Sequence, residues 1–339
     1  MSEPQQLPKI YTLEDIRKAI AKDEFENDLM EQISKGFVAL EQGKFCAAPI
    51  QTLGSPPFPF QDTPNYSAQT CVKSGYFLGS DYYVIKVASG GHPFATNSGL
   101  LQVYSQHTGK LEALLLDDGV LTELRTAAVG AVAAKLLAPK QIHKIGFLGT
   151  GVQARYQLRM LANITSCRDV LVWGRTWSNA ESFRTEMLDQ GWNIELVKNE
   201  NDLLEFCDLI VTTTSAREAI LGVDLDWSRL EGRGVHINCI GSDAPGKSEL
   251  ATSLVEKAEL LVADHLPQTK ERGEFEQAIT KGLVKLESIV PLGKLVEQPD
   301  LHRQAKDDHR LTIFDSSGVA LQDCVVAEMV YETLKKMRR

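Results

Sequence analysis

The 339 residues are 43% hydrophobic and 24% charged, an ordinary globular composition that excludes a disordered chain, a collagen-like fibre and a disulfide-built miniprotein. With 36 Lys and Arg against 45 Asp and Glu the net charge is -9, so no global basic field is offered to nucleic acid. Apolar runs fall short of the roughly 18 residues a spanning helix needs, and the polar, acidic start MSEPQQLPKIYTLEDI lacks a secretory pattern, so a cytoplasmic protein of about two domains is expected, with no membrane partner.

In chain order, residues 10–43 carry helical patterning, with Thr12 as N-cap of LEDIRKAIAKDEF. Residues 46–66 read as an irregular loop, because the prolines from Pro56 to Pro64 fit neither a helix interior nor a central strand. From Thr70 to Leu116 the runs YYVIKVAS, GLLQVYS and LEALLLD, separated by Gly-rich turns, predict an antiparallel sheet. LTELRTAAVGAVAAKLLAP (121–139) reads as an Ala-rich helix stopped by Pro139. Five short apolar runs then alternate with helical windows: KIGFLG (144–149), DVLVWG (169–174), LIVTTT (209–214), GVHINCIG (234–241) and LLVAD (260–264). That alternation predicts a parallel sheet covered on both faces. Residues 319–338 are helical again, with basic residues at the end where the helix dipole favours them. Cys46, Cys71, Cys167, Cys207, Cys239 and Cys324 are scattered, with no C-x-x-C pair and no His at metal spacing, so reduced thiols and no metal site are expected.

The strongest local signal is Gly149-Thr150-Gly151-Val152-Gln153-Ala154, which follows one predicted strand and opens a helix. The first Gly allows the tight turn, the second lets backbone approach a pyrophosphate, and the helix N-terminus faces the negative charge. A dinucleotide is therefore expected. At the end of the next strand, Trp173-Gly174-Arg175-Thr176 has no carboxylate for a ribose 2′-hydroxyl, and Arg175 could fork onto a 2′-phosphate. This favours NADP(H), with NAD(H) still possible.

LTELRTAAVGAVAAKLLAP, GTGVQA, INCIGSDAPGKSEL and FDSSGVALQD, in this order, resemble the ornithine cyclodeaminase/μ-crystallin family, closest to its ectoine-utilisation and ketimine reductase-like members. The resemblance implies an α/β chain in which a doubly wound Rossmann domain (124–314) is inserted in an α+β substrate-binding and dimerisation domain (1–123 plus 315–339). It implies a homodimer formed through the N-terminal domain, a small amino or imino acid substrate, and hydride chemistry at its α-carbon. By position it assigns Lys86 and Arg125 to the substrate carboxylate, Asp243 with Lys86 to catalysis, and Ser317, Lys73 and Gln51 to the substrate. The cofactor wall would comprise Ser98, Arg125, Thr126, Gly149, Thr150, Gly151, Val152, Gln153, Gly174, Arg175, Thr176, Thr212, Thr213, Asn238, Cys239, Ile240, Lys247 and Ser316.

Residue chemistry bears on each role. A lone strand lysine such as Lys86 is ordinarily a solvated edge charge. Arg125, placed in the first turn of its helix, would oppose the dipole and needs another reward. Asp243 ends an apolar strand, where a partly desolvated carboxylate could exchange a proton; the bland alternative is a turn Asp bonding its own backbone. Two departures stand out. Gln51 follows Pro49-Ile50 where many members carry a second carboxylate-binding Arg, and Lys73 stands where cyclodeaminase proper is acidic. Gln51 leaves the carboxylate clamp weaker or altered, while Lys73 together with the non-acidic WGRT turn moves the expectation away from ornithine cyclisation and toward an NAD(P)H-dependent reductase of a 2-imino acid, such as pyrroline-2-carboxylate, or an amino acid dehydrogenase. An ammonia lyase with recycled NAD and a non-catalytic ligand-binding protein remain as alternatives.

Overall fold

In the computed structural model, which describes residues 7–54, 69–90, 98–304 and 309–338, the chain forms two units, residues 1–125 with 319–339 and residues 126–318. The first unit opens with a short strand, β1 (Lys9–Tyr11), ahead of the helices α1 (Leu13–Ile20) and α2 (Phe25–Glu41). Thr12 caps α1: its hydroxyl accepts from the Asp15 amide while the Asp15 carboxylate accepts from the Thr12 amide, a reciprocal capping box. The region expected to be loop contains β2 (Phe45–Ala47) and β3 (Gln51–Gly54), both antiparallel to β4 (Gln69–Phe77). This corrects the expectation for residues 46–54. Pro49 sits in the gap between the two strands, where no ladder donor is needed. Pro56 to Pro64 lie outside the described residues.

Strands β5 (Tyr82–Gly90), β6 (Ser98–Ser105) and β7 (Leu111–Leu115) continue the antiparallel sheet, and β1 pairs in parallel with β7 at its edge, giving the order β1-β7-β6-β5-β4-β2. Helix α3 (Val120–Leu137) follows and contains the first unit boundary.

The second unit is doubly wound. Its parallel strands are β8 (Ile145–Leu148), β9 (Asp169–Trp173), β10 (Asn193–Leu196), β11 (Leu209–Thr212), β12 (Val235–Cys239), β13 (Leu260–Ala263), β14 (Val290–Pro291) and β15 (Leu311–Asp315), in the order β10-β9-β8-β11-β12-β15-β13-β14. Helices α4 (Val152–Leu161), α5 (Trp177–Leu188), α6 (Asp202–Phe206), α7 (Thr252–Lys257), α8 (Glu276–Thr280) and α9 (Leu292–Glu297) connect them. Alternate residues of one strand enter different cores. Leu209 and Val211 join a cluster with Phe147, Val170 and Val172, whereas Ile210 joins one with Leu148, Leu171 and Ile237. Both faces are therefore dry, which is why these strands read as unbroken apolar runs. Strands β10, β14 and β15 are not among the predicted runs: β10 is a mixed NIEL edge and β14 has only 2 residues.

The C-terminal helix α10 (Ala320–Met337) returns to the first unit and packs on α2, β4 and β5. It buries Leu321, Val325, Val326 and Val330 against the sheet.

Within the Rossmann unit, Arg303 is fully buried and donates to the carbonyls of Leu137 (2.6 Å), Val235 (3.1 Å) and Arg310 (2.7 Å). It thereby satisfies acceptors at the end of α3 that the helix itself leaves open. Arg303→Met would strand several buried carbonyls, at about 1–3 kcal/mol each. A loss of at least ~3 kcal/mol is expected, read as a fall of about 6–12 °C in the melting of this unit.

Candidate functional site

In the Rossmann unit, the chain leaves β8 at Gly149, whose φ of +111° suits only glycine and where a Cβ would lie 2.8 Å from Thr213 Oγ1. Gly151 is the N-cap of α4 and provides no side-chain cap, and the first turn carries no acidic residue. The first amides of α4, from Val152 and Gln153 onward, therefore lack a capping side chain and suit a pyrophosphate. Arg155 pins the loop by donating to the carbonyls of Thr150 (2.8 Å) and Gly151 (3.1 Å). Gly174 packs against Thr150, where a Cβ would lie 3.1 Å from Thr150 Cγ2. Arg175 is exposed beside it, and Thr176 is the N-cap of α5. The backbone fits a dinucleotide, and no carboxylate stands at the end of β9.

The loops at the carboxyl ends of β11 and β12 are tied by a carboxylate that sequence patterning does not reveal. Glu249 is fully buried and accepts from Thr212 Oγ1 (2.6 Å), the Thr214 amide (2.6 Å) and the Gly241 amide (3.0 Å). Gly241 is required here, because a Cβ would lie 2.2 Å from the Thr214 carbonyl oxygen. Glu274, also buried, accepts from Ser242 Oγ (2.5 Å), Ser248 Oγ (3.1 Å) and the Leu250 amide (2.6 Å). Several expected wall residues thus have committed side chains. Thr212 serves Glu249. Asn238 donates to the Gly130 carbonyl (2.8 Å) and accepts at Oδ1 from buried His236 Nε2 (2.8 Å). Cys239 and Ile240 are core. The Gln153 side chain meets Gln157, which also donates to the Thr126 carbonyl (3.3 Å). Ser316 and Ser317 each donate to Asp264 at 3.1 Å.

Asp243 departs from its expected environment. Its side chain is 60% exposed and pairs with Lys247 at 2.6 Å, so it is solvated, not partly desolvated. The loop turns it outward, and Lys247 four residues on holds it there while also donating to the Gly241 carbonyl (3.4 Å).

In the first unit the lysines prove to be interior. Period-2 alternation places Val84 and Lys86 on one face of β5, and Lys73 and Gly75 on the same face of β4, with Lys73 directly opposite Lys86. Lys86 is 3% exposed and Lys73 9%. Arg125, 5% exposed, lies in the second turn of α3 and not the first. Its reward is a charged partner: Asp323, on α10, accepts from Lys86 Nζ (2.9 Å) and Arg125 Nε (3.0 Å), both through Oδ1. Arg125 Nη1 also donates to Gln322 Oε1 (2.6 Å). Gln51 is exposed on β3, and Ser98 is exposed at the start of β6.

The charges are strongly perturbed. Burial pushes the Lys86 ammonium down to about 8; Asp323 opposes the fall, and Arg125 and Lys73 add to it. Burial also works against the charge of Asp323, yet Lys86, Arg125 and Lys73 hold its carboxyl below the ordinary range.

Residues 13–338 match the family model described as the ornithine cyclodeaminase/mu-crystallin family. The chain belongs to this family. Its relatives span several chemistries. A protein of Sinorhizobium fredii named a cyclodeaminase is 34% identical over 286 residues, covering 82% of this chain and 84% of that protein. The iminosuccinate reductase of Paracoccus denitrificans is 32% identical, covering 72% of this chain and 73% of that protein. The solved structure of an archaeal alanine dehydrogenase dimer with bound NAD superposes with a TM-score of 0.82 at 28% identity, covering 98% of this chain and 97% of that one. Asp323 ends the family-like segment FDSSGVALQD, and Glu249 closes GSDAPGKSE. Both acids lie in family-like segments, but the patterning around them does not reveal the partners that bury them.

Burial pushes three carboxyls of the Rossmann unit upward: Glu249 to about 7, helped by repulsion from Glu274; Glu274 itself; and Asp315. A carboxyl raised in the fold stabilises most below its unfolded value and loses that contribution as pH rises through its folded value. The Rossmann unit is therefore expected to melt at a higher temperature near pH 6 than near pH 8. In Glu249→Gln that pH difference should shrink, as followed by calorimetry.

Proposed function

We propose that this family member is an NAD(P)H-dependent oxidoreductase that reduces a 2-imino acid, or oxidises the matching amino acid, at the α-carbon. The observation that carries this is the buried cationic set of Lys86, Arg125 and Lys73, in which Lys86 and Arg125 converge on one oxygen of Asp323. Buried Lys and Arg donors aimed at one place suit a carboxylate ligand. Lys86 and Arg125 would bind the substrate carboxylate, Arg125 through its planar fork. Asp243, exposed to water and paired with Lys247, would relay a proton to the substrate nitrogen. Val152 and Gln153 amides with the Gly149–Gly151 turn would hold the pyrophosphate of the cofactor, which when bound supplies the hydride. Iminosuccinate reductase and alanine dehydrogenase among the relatives support a reaction of this class.

Lys73 disfavours the lyase alternative. A diamine substrate brings a second ammonium, and a buried lysine beside the carboxylate site repels it. The archaeal relative is a dimer, and a homodimer through the first unit is proposed here as well. Arg175 and the absent carboxylate at the end of β9 favour NADP(H).

The test is a panel of cyclic and linear 2-imino acids, including pyrroline-2-carboxylate, mixed with NADPH or NADH and followed by loss of nicotinamide absorbance. Turnover is expected, with no ammonia released from ornithine. Lys86→Met should lower kcat/KM by about a hundredfold or more, the scale for losing a charged contact to a buried ligand. Arg175→Ala should raise KM for NADPH by about tenfold and leave NADH unchanged. Turnover that ignores Lys86, or absent with every substrate, would sink the proposal.

A further inference from the structure

Lys86 is costly to bury. Burial disfavours its charge, Lys73 stands directly opposite it on β4, and Arg125 approaches from α3. Asp117, buried in the turn before α3, also bears on Lys86, but its Oδ2 accepts from the Leu121 amide (3.0 Å). Only Asp323, from α10, meets the ammonium directly among the hydrogen bonds of the described residues. Its geometry is lopsided. Oδ1 takes both Lys86 Nζ and Arg125 Nε, while buried Oδ2 has no hydrogen-bond partner. The neighbouring Gln322 Nε2 is likewise buried without a partner, although its Oε1 accepts from Arg125.

We infer that Asp323 is a positioning residue for the substrate carboxylate: through one oxygen it aims the Lys86 ammonium and the Arg125 fork together, and its charge keeps Lys86 protonated, so that Asp323 sets the alkaline limit of substrate binding. This rests on the proposed reading of Lys86 and Arg125 as the carboxylate clamp.

A purely structural role would need Asp323 only as an acceptor. Asn supplies the same Oδ1 and places its amide nitrogen where Oδ2 has no partner, so Asp323→Asn keeps both hydrogen bonds and removes only the charge. Without that charge, burial, Arg125 and Lys73 all drive Lys86 toward its neutral form, and of the groups that bear on it Asp117, held by the Leu121 amide, is left to oppose them. Lys73→Met removes one of these and acts in the opposite sense. Cys324, next in the chain, is a thiol that burial keeps protonated, so it contributes no charge.

The experiment has two arms. In the first, Lys86 is titrated by carbon-detected NMR in protein labelled at lysine Cε, with Lys86→Met assigning the signal. The midpoint is expected near pH 8 in the wild type, about one unit or more lower in Asp323→Asn, and higher in Lys73→Met. In the second, KM and kcat for the imino acid are followed against pH. The rise in KM at alkaline pH should move down in Asp323→Asn, costing about fivefold in affinity at pH 8 for a one-unit shift, with KM for NADPH unchanged. An unshifted Lys86 titration in folded Asp323→Asn, or a loss confined to kcat and independent of pH, would overturn the inference. Failure of the wild type to turn over any imino acid would count against the proposed function, while the titration would still decide the role of Asp323.

Discussion

A buried ammonium survives only if something answers its charge, and for Lys86 the hydrogen-bonded answer is one oxygen atom. Asp323 Oδ1 accepts from Lys86 and from Arg125, which come from a strand and a helix 237 and 198 residues earlier in the chain. The C-terminal helix is therefore more than a cover for the sheet. Its apolar side, through Leu321, Val325 and Val330, packs the core, and its first turn delivers the carboxylate that lets the cations stay inside. Removing the Asp323 charge while the helix stays in place would leave Lys86 and Arg125 buried without the carboxylate they share, the costly way to break a buried pair.

The Rossmann unit meets the opposite problem by a different route. Its buried carboxylates, Glu249 and Glu274, are not paired with cations in any ion pair of the described residues. They are surrounded by amide and hydroxyl donors: Thr214, Gly241 and Thr212 for one, Leu250, Ser242 and Ser248 for the other. Neutral donors stabilise an anion less than a cation would, so burial still wins and both groups stay raised. What the arrangement secures is shape. Each carboxylate spans two or more loop segments at the carboxyl edge of the sheet, where open α/β sheets bind their ligands. A side chain that can only accept holds several donors at once, which an amide could not.

Local features are legible in the sequence because their partners are near in the chain. Thr12 and Asp15 are three residues apart, and Gly149-Thr150-Gly151 carries its own backbone logic. Strands buried on both faces, such as LIVT in β11, announce themselves by lacking alternation. Long-range answers leave no such trace. Nothing in VIKVAS tells which face of β5 is covered, so Lys86 reads as a solvated edge charge until Asp323, 237 residues away, supplies the reason for its burial. Arg125 falls in the second turn of its helix, because the Asp117 side chain accepts from the Leu121 amide and α3 already begins at Val120, one residue before the predicted start. Asp243 misleads for the converse reason. The strand before it is buried, but the turn that follows directs the carboxylate into water, and Lys247 holds it there.

The net charge of -9 conceals this division of labour. One unit buries a surplus of cations and the other a surplus of carboxyls, and each pays a desolvation cost of its own sign. The two perturbations converge on a narrow interval. Lys86 is brought down to about 8 and Glu249 up to about 7. Above that interval Lys86 loses its charge. Below it, Glu249 takes up a proton, giving the form that burial and the neighbouring Glu274 favour in the fold. Between the two values each group is only partly ionised, so no pH leaves both fully charged, and each shift is set by how deeply its unit buries that residue and by what the residue finds there.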